Sequence, residues 1–151
     1  MDNELNKMLE NTFNDPIMNI LLKYCNLTNI QYESLLIEHY TNNMTDNIIT
    51  YENKAVYRSK KVSRGSFRRT LSQARKNVIS SIYTILLLSY VGIYDTYPFE
   101  EYKNLTEKLS EYTSASQNFE TPEQLSRIAR IETELVKGIR SLAQPGKLKQ
   151  L

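Results

Sequence analysis

V-S-R-G-S-F-R-R-T-L-S-Q-A-R-K-N-V-I-S-S-I-Y-T-I-L-L-L-S-Y-V, residues 62–91, is the stretch on which the fold turns. Phe67, Thr70, Leu71, Ala74 and Val78 recur at three- and four-residue steps, the period of a helix with one apolar face. Ser63 stands in the N-cap position, where its hydroxyl can accept from the first turn. Gly92 follows the last apolar residues and reads as a stop. The spacing predicts one long helix that begins basic and ends apolar. From Val78 to Tyr94 the sequence holds no charge but carries three Ser, one Thr, three Tyr and one Gly. A membrane span needs about twenty predominantly apolar residues, so this half is read as a long, fully buried central helix. Arg75 and Lys76 flank it as they would a cytoplasmic anchor, which keeps a membrane-associated protein anchored by 78–94 as an alternative.

The flanking segments are helical too. Leu5, Met8, Leu9 and Phe13 form one stripe. Ile17, Ile20, Leu21 and Tyr24 form a second, behind an Asp15 cap and Pro16 at the first helical position. Thr28 and Gln31 make a capping box for a third helix, which carries Tyr32, Leu35, Leu36, His39 and Tyr40 on one side and ends in T-N-N. Ile48, Ile49, Tyr51, Ala55 and Val56 mark a weaker helix between Met44 and Tyr57. Tyr97-Pro98 opens another, with Phe99, Tyr102, Leu105, Leu109 and Tyr112 as its stripe. Thr121-Pro122-Glu123-Gln124 opens the last, which runs to about Ala143. With four Gly and four Pro in 151 residues, the expectation is an all-α, compact helical domain of about six helices over 1–143. Residues 144–151 are expected to be a flexible tail.

Charge is distributed unevenly. Between Lys54 and Lys76 lie nine of the nineteen Lys and Arg residues and no Asp or Glu. The net charge of +2 therefore hides a +9 segment in a −7 remainder. Clustered cations on an otherwise acidic chain are the footprint of a polyanion partner, because neutralising phosphates releases counterions. With Phe67, Leu71, Ala74 and Val78 inward, the other side presents Arg64, Arg68, Ser72 and Arg75, flanked by Ser66, Arg69, Gln73 and Lys76. Arg can fork onto guanine, Gln can pair with adenine, and Ser approaches a phosphate closely. Gly65 allows close backbone approach beside the helix N-terminus, whose N–H groups favour phosphate. The expected nucleic-acid contacts are Lys54, Arg58, Lys60, Lys61, Ser63, Arg64, Ser66, Arg68, Arg69, Gln73, Arg75 and Lys76.

The segment V-S-R-G-S-F-R-R-T-L-S-Q-A-R-K-N-V resembles the recognition half of a helix-turn-helix of the sigma-factor region 4 type. Val62, Ser63, Phe67, Leu71, Ala74 and Arg75 fill the places of its apolar-Ser opening, hydrophobic position, Leu and Ala-Arg. L-T-N-I-Q-Y-E-S-L-L-I-E-H-Y, residues 27–40, is similar to the helix preceding that motif. The resemblance covers about a third of the chain. It implies a helix-turn-helix at about 45–77, with Ser63, Arg64, Ser66, Arg68 and Arg69 docking in a major groove. In that pattern a small residue stands about five positions before the turn's apolar residue, and Gly stands where this chain has Lys61. Ala55 instead lies seven positions before Val62. Either R-S-K-K lengthens the turn or the first helix lies elsewhere.

Other features are read structurally. His39 is expected in the core, and Cys25 as a small buried hydrophobe in a reducing compartment. Six of the tyrosines fall on apolar faces; Tyr51 and Tyr57, beside the basic run, are the candidates for base stacking. No secretion signal, zinc cluster, paired carboxylates, nucleophile triad or phosphate loop is found, so neither an enzyme nor a cofactor is expected. Ile128, Ile131, Leu135, Ile139 and Leu142 form a narrow seam on the last helix, about 122–143, that packs either on the rest of the domain or on a partner copy; association is favoured, and the five are assigned to dimerisation. The sequence thus reads as a cytoplasmic, homodimeric, sequence-specific binder of double-stranded DNA, a transcriptional regulator. An RNA-binding or ribonucleoprotein component using the same patch is the alternative.

Overall fold

The structure, a computed structural model, describes residues 2–43, 49–93, 96–115 and 121–142, with side chains except at 2, 96–102 and 142. The seven elements among the described residues are all helices, as an all-α domain of about six helices leads one to expect: α1 Asp2–Asn14, α2 Pro16–Tyr24, α3 Asn29–Asn43, α4 Tyr51–Val56, α5 Arg64–Tyr90, α6 Thr96–Ala115 and α7 Pro122–Leu142. Their ends are set by local chemistry. Asp15 accepts from the Met18 N–H at 2.8 Å. Thr28 and Gln31 exchange the two bonds of a capping box at 3.1 and 3.2 Å, and Thr121 and Gln124 do so at 2.9 and 3.3 Å. The Ser66 N–H donates to Ser63 Oγ at 3.2 Å, which caps α5. At the other end Gly92 takes φ +73°, and the Ile93 N–H reaches the Leu88 carbonyl at 2.9 Å. That is a Schellman stop, which glycine adopts without a Cβ penalty. The expected tail at 144–151, the 44–48 part of the motif span, and the side chains of Phe99, Tyr102 and Leu142 lie outside the described residues.

By its internal contacts the chain divides into two compact units, Met1–Thr84 and Ile85–Leu151. In the first, Leu5 and Leu9 of α1, Ile37 of α3, Ala55 of α4, and Phe67 and Leu71 of α5 form a buried cluster. Leu35, Leu36, Tyr40, Tyr51, Tyr57 and Val62 pack around it. Phe67 is fully buried, with its ring 6.3 Å from that of Tyr51. Phe13 meets Tyr32 edge-on at 6.1 Å, joining α1 to α3. Burial there, then the nearby Tyr40, raises the Tyr32 hydroxyl above its ordinary pKa. Two residues expected inside are exposed: Cys25 at the end of α2, and His39, beside Asn43 on α3.

The inward face of α3 also differs from the expected stripe. Its buried residues are Glu33, Ser34, Ile37 and Thr41. A face this polar can be buried because its groups are matched. Thr41 Oγ1 donates to the Ile37 carbonyl at 2.6 Å, and Ser34 accepts from Arg58 Nη1 at 2.8 Å.

In the second unit α6 and α7 pack on each other. Lys108 pairs with Glu134 and Arg127 with Glu111, both at 2.8 Å, so the two helices run antiparallel. The Lys108 hydrogen bond, followed by its charge, lowers the Glu134 carboxyl pKa. A Cβ on Gly138 would stand 3.2 Å from Leu105 Cδ1, so glycine allows the close approach there. Ile128, Ile131, Leu135 and Ile139 are 0–9% exposed within this chain, and Tyr112 of α6 is buried with them. This corrects their assignment to dimerisation. A seam already covered by the chain's own α6 has no free surface for a second copy.

The apolar half of α5 is a second correction. Expected to be a buried central helix, it exposes Val78 (41%), Ile82 (52%), Ile85 (46%), Leu87 (61%) and Tyr90 (90%) to solvent. The cluster that covers Phe67 and Leu71 reaches only the first turns of the helix. Beyond it the Asn77 amide donates to the Asn26 carbonyl at 3.2 Å and to Gln31 Oε1 at 3.1 Å. No helix among the described residues is long and apolar enough to cross a membrane.

Candidate nucleic-acid interface

The basic run folds into three pieces: the end of α4, the connection 57–63, and the first half of α5. R-S-K-K lies within the connection, after α4 ends at Val56. The connection is fixed by a buried carboxylate. Glu33 accepts from the Ser59 N–H at 2.6 Å, and its other oxygen lies 2.6 Å from Arg58 Nε. That Nε has no hydrogen-bond partner, so the Arg58–Glu33 contact is a close ion pair with poorly aligned N–H geometry. A second carboxylate works one turn on. Glu38 pairs with Lys54 at 2.8 Å and Arg75 at 3.0 Å, and Lys54 also donates to Asn42 at 2.7 Å. Glu33 and Glu38 thereby tie α3 to the connection, to α4 and to α5.

These contacts divide the expected binding residues. Lys54 is 4% and Arg58 7% exposed, each held in an ion pair. Both leave the candidate surface, because a buried and neutralised cation offers no charge to a ligand. Arg75 stays half-exposed at its edge, paired with Glu38. Tyr51 and Tyr57 pack against the core, which accounts for their apolar rings.

The remaining six cations, Lys60, Lys61, Arg64, Arg68, Arg69 and Lys76, are exposed. None has a carboxylate partner among the described residues. Arg68 adjoins the buried Phe67 in sequence, and Arg69 and Lys76 stand two turns apart, about 10 Å, on the side away from Leu71 and Ala74. Ser72 is exposed between them, and Gln73 donates to Asn77 at 3.0 Å. Exposed Ser63 and half-buried Ser66 form the cap. A Cβ added to Gly65 would meet nothing within 4 Å, so packing in this chain does not require glycine there.

The result is a rigidly backed cationic face that begins in the turn and follows the outer side of α5 for about three turns. Its backing residues Glu33 and Glu38 were not legible as such. The signal was two acids on the helix preceding a basic run that contains no acid of its own.

Elsewhere, a surface cleft of about 550 Å³ is lined by Leu9, Glu10, Phe13, Ile30, Glu33 and Tyr57. Of its two carboxylates, Glu33 is already paired with Arg58. No group of three metal-ligating side chains gathers among the described residues. Comparison with protein-family models, curated proteins and solved structures finds no match to the chain.

Proposed function

We propose that the chain is a sequence-specific DNA-binding protein, a transcriptional regulator that reads duplex DNA with the outer face of α5. The observation that carries this reading is the sorting of the basic run. Three of its cations are spent on internal ion pairs, and the other six share one exposed stretch whose back is locked by Phe67 and Leu71. A helix held in this way presents side chains to base edges in fixed register, and the cations of its preceding turn lie beside it for phosphates. The connection is longer than the turn of the sigma-like pattern; the Ser63 cap and the burial of Phe67, Leu71 and Ala74 support the reading.

Competition of duplex DNA against structured RNA at physiological salt tests the reading. Duplex DNA is expected to displace RNA, and preferential retention of RNA would favour a ribonucleoprotein component instead. Lys60→Ala and Lys61→Ala are each expected to weaken binding evenly across sequences. Each should flatten the dependence of log K on log salt by about one unit, as loss of one phosphate contact does. Gly65→Ala separates binding from folding. It is expected to keep or raise stability by about 0.5–1 kcal/mol, since alanine is the better helix former. DNA affinity should fall, because the added methyl stands where a phosphate would approach. Equal affinity for Gly65→Ala and wild type would place the phosphate elsewhere.

A further inference from the structure

The base edges of a major groove are told apart by a short set of side chains. Arg or Lys forks onto guanine, Asn or Gln pairs with adenine, and Asp or Glu accepts from cytosine. Ser or Thr takes either kind, and small apolar groups meet the thymine methyl. The first half of α5 presents only part of this set. At about 100° per residue, Gly65, Arg69, Ser72 and Lys76 lie opposite the buried Phe67, Leu71 and Ala74, with Arg68 at one edge and Gln73 at the other.

No Asp or Glu occurs between Lys54 and Lys76, so nothing there accepts from cytosine. The outward residues carry no methyl group for thymine. Thr70 is half-buried beside the core face, and its hydroxyl donates to the Ser66 carbonyl at 3.1 Å. Gln73 is the amide side chain that matches adenine, and it lies along the helix rather than out from it. Its Nε2 donates to Asn77 Oδ1, one turn on, at 3.0 Å. Asn77 is itself anchored, since its amide donates to the Asn26 carbonyl at 3.2 Å and to Gln31 Oε1 at 3.1 Å. Gln73 is thus drawn toward the start of α3 and off the outward row. Ser72 is exposed and takes either kind of edge, so it discriminates little. What remains is Arg68, Arg69 and Lys76, exposed and without a carboxylate partner among the described residues. The two arginines have the planar fork that meets guanine N7 and O6 with two donors.

We propose that the preferred duplex is defined by guanines, one facing Arg68 and another facing Arg69, with no adenine read by Gln73. This rests on the reading of α5 as the helix that faces duplex DNA. Lys60, Lys61 and Arg64, before and at the start of the helix, hold the register on phosphates.

The test uses the duplex that the full chain enriches from a random pool, remade with 7-deazaguanine at one guanine at a time. This base lacks the N7 acceptor and keeps its Watson–Crick pairing. Affinity is expected to fall about fivefold or more at two positions. Arg68→Ala should be insensitive at one of them and Arg69→Ala at the other, both with unchanged denaturant midpoints. 7-Deazaadenine at any adenine should leave affinity unchanged, and Gln73→Ala should enrich the same sequence as the wild type. An enriched sequence without guanine overturns the proposal. So does guanine sensitivity that survives both arginine variants, or an adenine sensitivity that Gln73→Ala removes. Each of these three results leaves duplex reading by α5 standing, whereas a pool that stays random overturns both.

Discussion

Glu33→Ala is expected to destabilise the first unit by about 3–5 kcal/mol, the cost of leaving one member of a buried ion pair alone. The substitution strands two groups at once. The Arg58 side chain is only 3% exposed and loses its counter-charge, and the Ser59 N–H loses its acceptor. Small domains are stable by about 5–15 kcal/mol in total, so the variant should be largely unfolded in modest urea, with a clearly lowered midpoint. The companion variants make the cause readable. Arg58→Met alone should also cost several kcal/mol, about 3–5 by the same reasoning. The double change Glu33→Leu with Arg58→Met should recover most of the loss, because an apolar pair needs no desolvation. A single-variant cost below about 1 kcal/mol would mean that the pair is solvated in the folded protein.

Arg68→Ala is expected to weaken binding to the preferred duplex by about 1–3 kcal/mol, a factor of roughly 5–150, while leaving stability unchanged. Both halves follow from its position. The side chain is exposed and has no carboxylate partner among the described residues, so folding loses little when it is removed. The backbone beneath it is held by Phe67 on one side and Leu71 one turn on, both buried, so the arginine projects from a fixed base. Arg69→Ala should behave in the same way. Arg75→Ala should not, since its pair with Glu38 couples binding to the α3–α5 contact. Affinity and denaturant midpoint measured on the same preparations separate these cases. Equal loss on all sequences for Arg68→Ala and Arg69→Ala would reduce the face to a non-specific phosphate binder.

What the sequence made legible was mostly local. The Asp15 cap, the boxes at Thr28–Gln31 and Thr121–Gln124, the Ser63 cap and the Gly92 stop each depend on residues within a few positions of one another, so their chemistry can be read directly. The inward direction of Phe67, Leu71 and Ala74 was legible for the same reason, because period alone fixes a helix face. The misses concern partners distant in sequence. Lys54 and Arg58 carry the same charge as Lys60 and Arg64, and what separates them is Glu33 and Glu38, sixteen or more positions upstream. Of the expected α3 stripe, Leu35, Leu36 and Tyr40 do pack against the core, but its fully buried residues include Glu33, Ser34 and Thr41, and Glu33 and Ser34 become buriable through Arg58. The seam Ile128–Ile139 was recognised as a buried stripe, but its cover is α6 of the same chain. Period likewise could not tell a helix buried in its own core from one whose apolar side is exposed, which is the case for α5 beyond Val78.

The six cations exposed and without a carboxylate partner among the described residues, with the small polar residues between them, are proposed to read a particular duplex sequence. Selection of bound duplexes from a random pool by the full chain at physiological salt tests it most directly. One shared sequence is expected to be enriched, and Arg68→Ala should fail to enrich it. A pool that is retained by the wild-type protein and yet stays random would contradict it.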